Sequence, residues 1–140
     1  MKKIITNMEV EKYLKIVSAK DSFRNNTALK IPGALDWSLR VNLKKLNEIY
    51  ALYEEARIEL GQRYISEGKV ENDFVKPEYK KDYQNDLVEL LEQESEIDIR
   101  PLKIKDFIDI PLSMPEKDFM LYMCDENEVN KYFEENSSEG

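Results

Sequence analysis

The sequence predicts a mainly α (α+β) domain, built as a long antiparallel helical hairpin with a small β element and a short C-terminal helix. Three observations point to it. Leu39, Leu43, Leu46, Tyr50, Tyr53, Leu60 and Tyr64 recur at alternating spacings of four and three, with one gap at Arg57. That is the period of a helix packed lengthwise against another. After a polar loop, Lys76-Pro77-Glu78 opens a second helical segment, and Glu96-Ile97-Asp98-Ile99-Arg100 then switches to the strict alternation of a half-buried strand. A charged fraction of 36% with only 4 Gly and 5 Pro favours a helix-rich surface over a sandwich or barrel.

Taken in chain order, Thr6 with Glu9 three residues later forms a capping-box pattern, and Val10, Leu14 and Val17 mark one face of a first helix ending near Lys20. Asp21 to Gly33 is a linker, rich in Asn and closed by Pro32-Gly33, where the proline biases Ile31 away from helical torsions. The long helix follows from Ala34 to Ser66, roughly 50 Å at the usual rise per residue. Arg40, Lys44 and Lys45 lie toward its start and Glu54, Glu55, Glu59 and Glu67 toward its end, against the helix dipole. Pro77 suits the first turn of a third helix running to about Gln93, with Tyr79, Tyr83, Leu87, Leu90 and Leu91 on one face. Folded back through the loop Gly68 to Lys76, this helix is expected to bring Glu89, Glu92 and Glu94 beside the basic half of the long one.

Pro101 ends the strand Glu96–Arg100 or places it at a sheet edge. A second extended piece is expected over Phe107 to Pro111, with Met1 to Ile5 available as a further strand. Ser113 caps a short helix opened by Pro115-Glu116 and carrying Phe119 to Met123. Residues 1–124 read as one domain. Residues 125–140 read as an acidic, partly flexible tail with one more turn around Val129, Tyr132 and Phe133, and frayed from Asn136 to Gly140.

Charge is split along the chain. Residues 1–47 carry ten Lys or Arg against four acids, whereas residues 48–140 carry eleven against twenty-five, for a net −8 overall. Bulk nucleic-acid binding is disfavoured, because phosphate neutralisation needs clustered cations. There is no apolar run of membrane-spanning length and no signal-peptide pattern, so the expected setting is the cytoplasm. The lone Cys124 reads as a small buried hydrophobe beside Phe119, Met120 and Met123.

No catalytic constellation emerges. The chain has no histidine, and its four glycines form no phosphate loop. Glu96, Asp98, Asp106 and Asp109 could assemble a Mg²⁺ site, but in a chain with 29 acids such clusters are expected as solvated faces. Glu67-Gly68-Lys69 matches the letters of a nuclease acid-any-Lys motif yet sits at a helix end. The reading is therefore of a protein that is not an enzyme, without a cofactor or metal. Two features remain as candidate interaction surfaces. One is the basic end, where Arg24, Lys30, Arg40, Lys44 and Lys45 lie close to Phe23 and Trp37, with Tyr50, Tyr53 and Arg57 further along the long helix, against the alternative that the basic residues pair with acids of the third helix. The other is Phe119, Tyr122 and Met123 in the C-terminal helix, against core burial.

Leu43-Lys44-Lys45-Leu46, Tyr53-Glu54-Glu55-Ala56-Arg57, a polar turn, Val88-Glu89-Leu90-Leu91, Glu96-Ile97-Asp98-Ile99 and Met114-Pro115-Glu116 follow one another in an order that resembles small uncharacterised phage and prophage proteins of Gram-positive bacteria. The resemblance covers Leu43 to Cys124 and implies a viral context without a mechanism. The functional expectation is a protein-binding module that inhibits a host factor, with a virion assembly protein or an acidic nucleic-acid mimic as alternatives. Self-association is expected too, because a returning helix about half the length of the rod leaves apolar face for the first helix, the C-terminal helix or another copy to cover.

Overall fold

The computed structural model describes residues 1–137 and is mainly helical, with the long helix, the small β elements and the short C-terminal helix in the predicted order. Strand β1 (Lys2–Thr6) leads directly into α1 (Asn7–Ser18) through the expected capping box, in which Glu9 N–H donates to Thr6 Oγ1 at 3.2 Å and Thr6 N–H donates to Glu9 Oε1 at 3.1 Å. After a 3-10 turn at Phe23–Asn25 comes α2 (Gly33–Ser66), and then the short strands β2 (Val70–Glu71) and β3 (Phe74–Val75). Helix α3 (Lys80–Leu91), strand β4 (Glu94–Asp98) and helices α4 (Ile104–Phe107), α5 (Met114–Tyr122) and α6 (Glu126–Ser137) complete the order.

The inner stripe of α2 is covered by two different neighbours. Leu39, Leu43 and Leu46 enter one core with Val10, Tyr13 and Val17 of α1, Ile5 of β1, Ile97 of β4 and Phe119, Met120 and Met123 of α5 and its end. Leu60 and Tyr64, on the distal half, lie under α3, where the Tyr64 hydroxyl donates to Asp86 at 2.7 Å and its ring meets Tyr83 edge-on at 5.0 Å. Hydrogen bonding to Asp86 is the chief cause that pushes the Tyr64 pKa up to about 12. With 12 residues against 34, α3 covers only this distal part. Glu89, Glu92 and Glu94 therefore do not reach the basic half, contrary to expectation. Arg40 pairs instead with Asp36 at 2.8 Å, and Lys45 donates to the Asp98 carbonyl.

The connection between α2 and α3 is more regular than a loop. Gly68, at φ +73°, ends α2, and Lys69 N–H returns to the Tyr64 carbonyl at 3.0 Å. Asn72 and Asp73 both have positive φ, 51° and 67°, giving β2 and β3 the tight turn whose twist suits an antiparallel pair. At the other end of α3, Asn7 closes the structure: its side chain donates to the Leu90 carbonyl at 2.9 Å and its backbone N–H to the Gln93 carbonyl at 3.1 Å.

β1 and β4 pair antiparallel from Lys2↔Asp98 to Thr6↔Glu94, so the N-terminal strand does join the sheet. The strand begins and ends two residues earlier than its alternation suggests; Ile99 still donates to the Met1 carbonyl at 2.7 Å, and Arg100 turns to another partner. Fully buried Asn42 of α2 accepts from Arg100 N–H at 2.8 Å and donates to Arg100 C=O at 2.9 Å. The extended piece expected over Phe107–Pro111 is absent. Ile104 and Phe107, three residues apart, bury themselves together from the short helix α4, and helical spacing prevails over alternation there. Ile104 N–H is capped by the Glu128 carboxylate of α6 at 2.9 Å. The acidic tail is a helix rather than a single turn: Asp125 Oδ1 caps it at Asn127 N–H (2.9 Å), and Val129 and Tyr132 pack on the core. Fraying expected at Ser138 to Gly140 lies outside the described residues.

Glu116 ties the linker to α5. Its carboxylate accepts from Phe23 N–H at 2.8 Å and Ser113 N–H at 3.0 Å. Desolvation alone would raise its pKa, but these hydrogen bonds outweigh it and hold the carboxyl below its ordinary value. A depressed folded pKa makes its contribution fully present above the unfolded carboxylate pKa, about 4.3, and lost as pH falls through the folded value. Urea unfolding of Glu116→Gln should show a deficit of about 2 kcal/mol at pH 7 that shrinks below pH 4. Asn42→Leu, alike in branching but bulkier, should cost about 3 kcal/mol or more by stranding both backbone groups of Arg100, seen as a lower urea midpoint at unchanged slope.

Candidate interaction surface

The long helix turns one side inward and leaves the other bare along its whole length. Trp37, Lys44, Ala51, Ile58 and Ile65 follow one another at seven-residue intervals on that outer side, and all five are exposed. Leu52, beside them, is 68% exposed, and Trp37, Ile58 and Ile65 lie between half and two-thirds exposed. Arg40 and Lys44 make the first half of this face basic, while Glu55 and Glu59 make the second half acidic. Among the described residues Lys44, Glu48, Glu55 and Glu59 have no ion-pair partner within the chain, so these charges face solvent unspent.

The sequence-predicted residues divide into three groups. Trp37, Arg40 and Lys44 are on the open face, as an interaction surface requires. Lys45, Tyr50 and Arg57 lie at its margins. Tyr50 and Tyr53 meet at a tilt of 47° with ring centroids 6.0 Å apart, Tyr50 hydrogen-bonds Glu54, and Arg57 pairs with Glu54 at 2.9 Å. This network explains the gap in the apolar stripe, since Arg57 holds a core-facing register but turns back one helical turn to Glu54. The Glu54 hydrogen bond leads the causes that raise the Tyr50 pKa, whereas burial leads for Tyr53, followed by Glu11. The third group is withdrawn from the surface. Tyr53 is 5% exposed and Phe119 and Met123 are fully buried, so none of them can be presented to a partner. Tyr122 is half-buried, stacked on Tyr13 at 5.1 Å beneath the Lys3 ammonium 4.3 Å from its ring.

Leu52, Ile58 and Ile65 were not singled out by sequence reasoning. Their spacing was visible, but only the assignment of the inner stripe reveals that they face away from the core. A groove of about 580 Å³ opens beside the same helix, where α1 leaves Leu14, Lys15, Arg24, Leu43, Asn47 and Tyr50 around a mixed concavity.

The chemistry of other groups is muted. Burial pushes the Cys124 thiol up to about 12, so it is not a thiolate at neutral pH. Glu96 pairs with Lys2 at 3.2 Å and Glu67 with Lys69 at 2.7 Å. Among the described residues no group of three or more His, Cys, Asp or Glu converges to hold a metal ion, and no helix is long and apolar enough to cross a membrane. Comparison with protein families, curated proteins and solved structures finds no match to the chain.

Truncation separates buried from presented residues. Phe119→Ala should cost about 3–5 kcal/mol in urea unfolding, whereas Trp37→Ala should change stability by no more than about 0.5 kcal/mol.

Proposed function

We propose that this chain is a non-enzymatic protein-binding module of phage origin that acts by occupying the surface of another protein, a host factor being the class of target. The observation that carries the reading is the outer face of α2: an exposed ridge with Trp37, Leu52, Ile58 and Ile65 along it, on a helix whose inner stripe is already sealed by its own fold. Exposed apolar residues in a row on a rigid element mark contact surfaces. The uneven charge along the same ridge would orient a partner during encounter and fix its register. The viral setting rests on the order of sequence parts alone, and position of the gene among phage genes would test it.

A second reading, a virion assembly component, is favoured by one feature of the same face. A ridge that is basic in one half and acidic in the other is suited to contact between copies.

A photo-crosslinking amino acid at Trp37 or Ile58, with Met114 as a control exposed elsewhere, tests the surface directly. Adducts to one foreign protein, reproduced with that protein purified, would support the inhibitor reading. Adducts between copies would support assembly. Crosslinks no more frequent at Trp37 or Ile58 than at Met114 would overturn the outer face as a binding surface.

A further inference from the structure

We infer that the occupant of the outer face of α2 is a second copy of the same face, laid antiparallel about a twofold axis at the level between Ile49 and Tyr50. The inference rests on the reading of this face as a protein contact and deepens the second of the two readings given for it, contact between copies. The argument begins from charge. With the axis at that level, Lys44 of one copy lies opposite Glu55 of the other at the centre of the face, and Arg40 lies at the level of Glu59. No two like charges of α2 fall directly opposite one another in this register.

Three of the residues concerned, Lys44, Glu55 and Glu59, are exposed and have no ion-pair partner within the chain among the described residues. A twofold contact uses each such pair twice, so weak surface attractions of a few tenths of a kcal/mol to about 1 kcal/mol accumulate. The apolar residues agree with the same placement. Val41 falls opposite Ile58 and Ala34 opposite Ile65, with Trp37 one turn away from Ile65 of the second copy. Near the axis stands Ala51, whose small side chain lets two helices approach closely.

The charge order that opposes the dipole within one helix becomes favourable between two, because the basic start of each rod meets the acidic end of the other. A parallel pair would instead stack Lys44 on Lys44 and Glu55 on Glu55. Glu48 is the exception, facing Ala51 beside the axis and lying close to its own symmetry mate, so the dimer is reversible and weakened by screening at high salt.

Light scattering over a concentration series at low salt, with circular dichroism to confirm folding, tests this on the full chain. The unmodified protein should dimerise. Lys44→Glu and Glu55→Lys, each at an exposed position, should each weaken the dimer roughly tenfold or more, and the double variant Lys44→Glu/Glu55→Lys should restore it. The emission of Trp37, the sole tryptophan, should shift to the blue as the dimer forms. A monomer at several hundred micromolar would overturn the inference while leaving the outer face open to a foreign partner. A dimer indifferent to both single variants, or one not restored by the double variant, would overturn the register and the face.

Discussion

One buried side chain sets the rotation of the long helix. Asn42 carries its carboxamide into the core and satisfies both the N–H and the C=O of Arg100, at 2.8 and 2.9 Å. A buried amide that fits one backbone site in two directions tolerates no turn of the helix about its axis, because any rotation leaves polar groups dry and unpaired. Everything distinctive in the molecule follows from that rotation. Leu39, Leu43 and Leu46 point into the body, Leu60 and Tyr64 point under α3, and the opposite side is left without a cover. The same clamp fixes the chain just past β4, where Arg100 lies beyond the last residue that β1 can pair.

The helical frame was legible because its signals are local and repeated. Capping boxes at Thr6 and Ser113, the four-three stripe of α2 and the alternation around Ile97 each declare their own element. What was not legible depends on distance. The length of the returning helix already shows that it cannot cover the whole rod, but which neighbour takes the rest is not written in the sequence; the fold gives it to α1 and α5. The sequence reads Gly68 to Lys76 as a loop, whereas Asn72 and Asp73, both at positive φ, set a tight turn between β2 and β3. Phe107 was assigned to an extended piece, yet its partner in burial, Ile104, lies three residues away on a helical turn. The tail reads as acidic with one turn around Val129, Tyr132 and Phe133, and docking of Val129 and Tyr132 on the core extends that turn into a helix.

The candidate surface was half legible for a related reason. Trp37, Arg40 and Lys44 stood out as aromatic and cationic residues close together, and the fold leaves them exposed. Phe119 and Met123 stood out equally as an apolar run and are core. Composition does not distinguish an apolar run that anchors a fold from one that greets a partner. Geometry does, and here it transfers attention from the C-terminal helix to the back of α2.

The pairing of β1 with β4 has a consequence for how the molecule assembles. Thr6 meets Glu94, so the sheet closes a chain segment on the order of ninety residues, and every contact across it carries the entropy of that closure. The arm formed by α2, the β2–β3 turn and α3 needs no such closure, since its contacts are between near neighbours in sequence. It can form early and act as the scaffold that draws the two strands together, with Asn7 fastening the end of α3 as the last turn of that approach. Order within the arm shortens the stretch of free chain that the two strands must close, so a lesion at the distal tip is expected to raise the entropic cost of bringing Thr6 to Glu94.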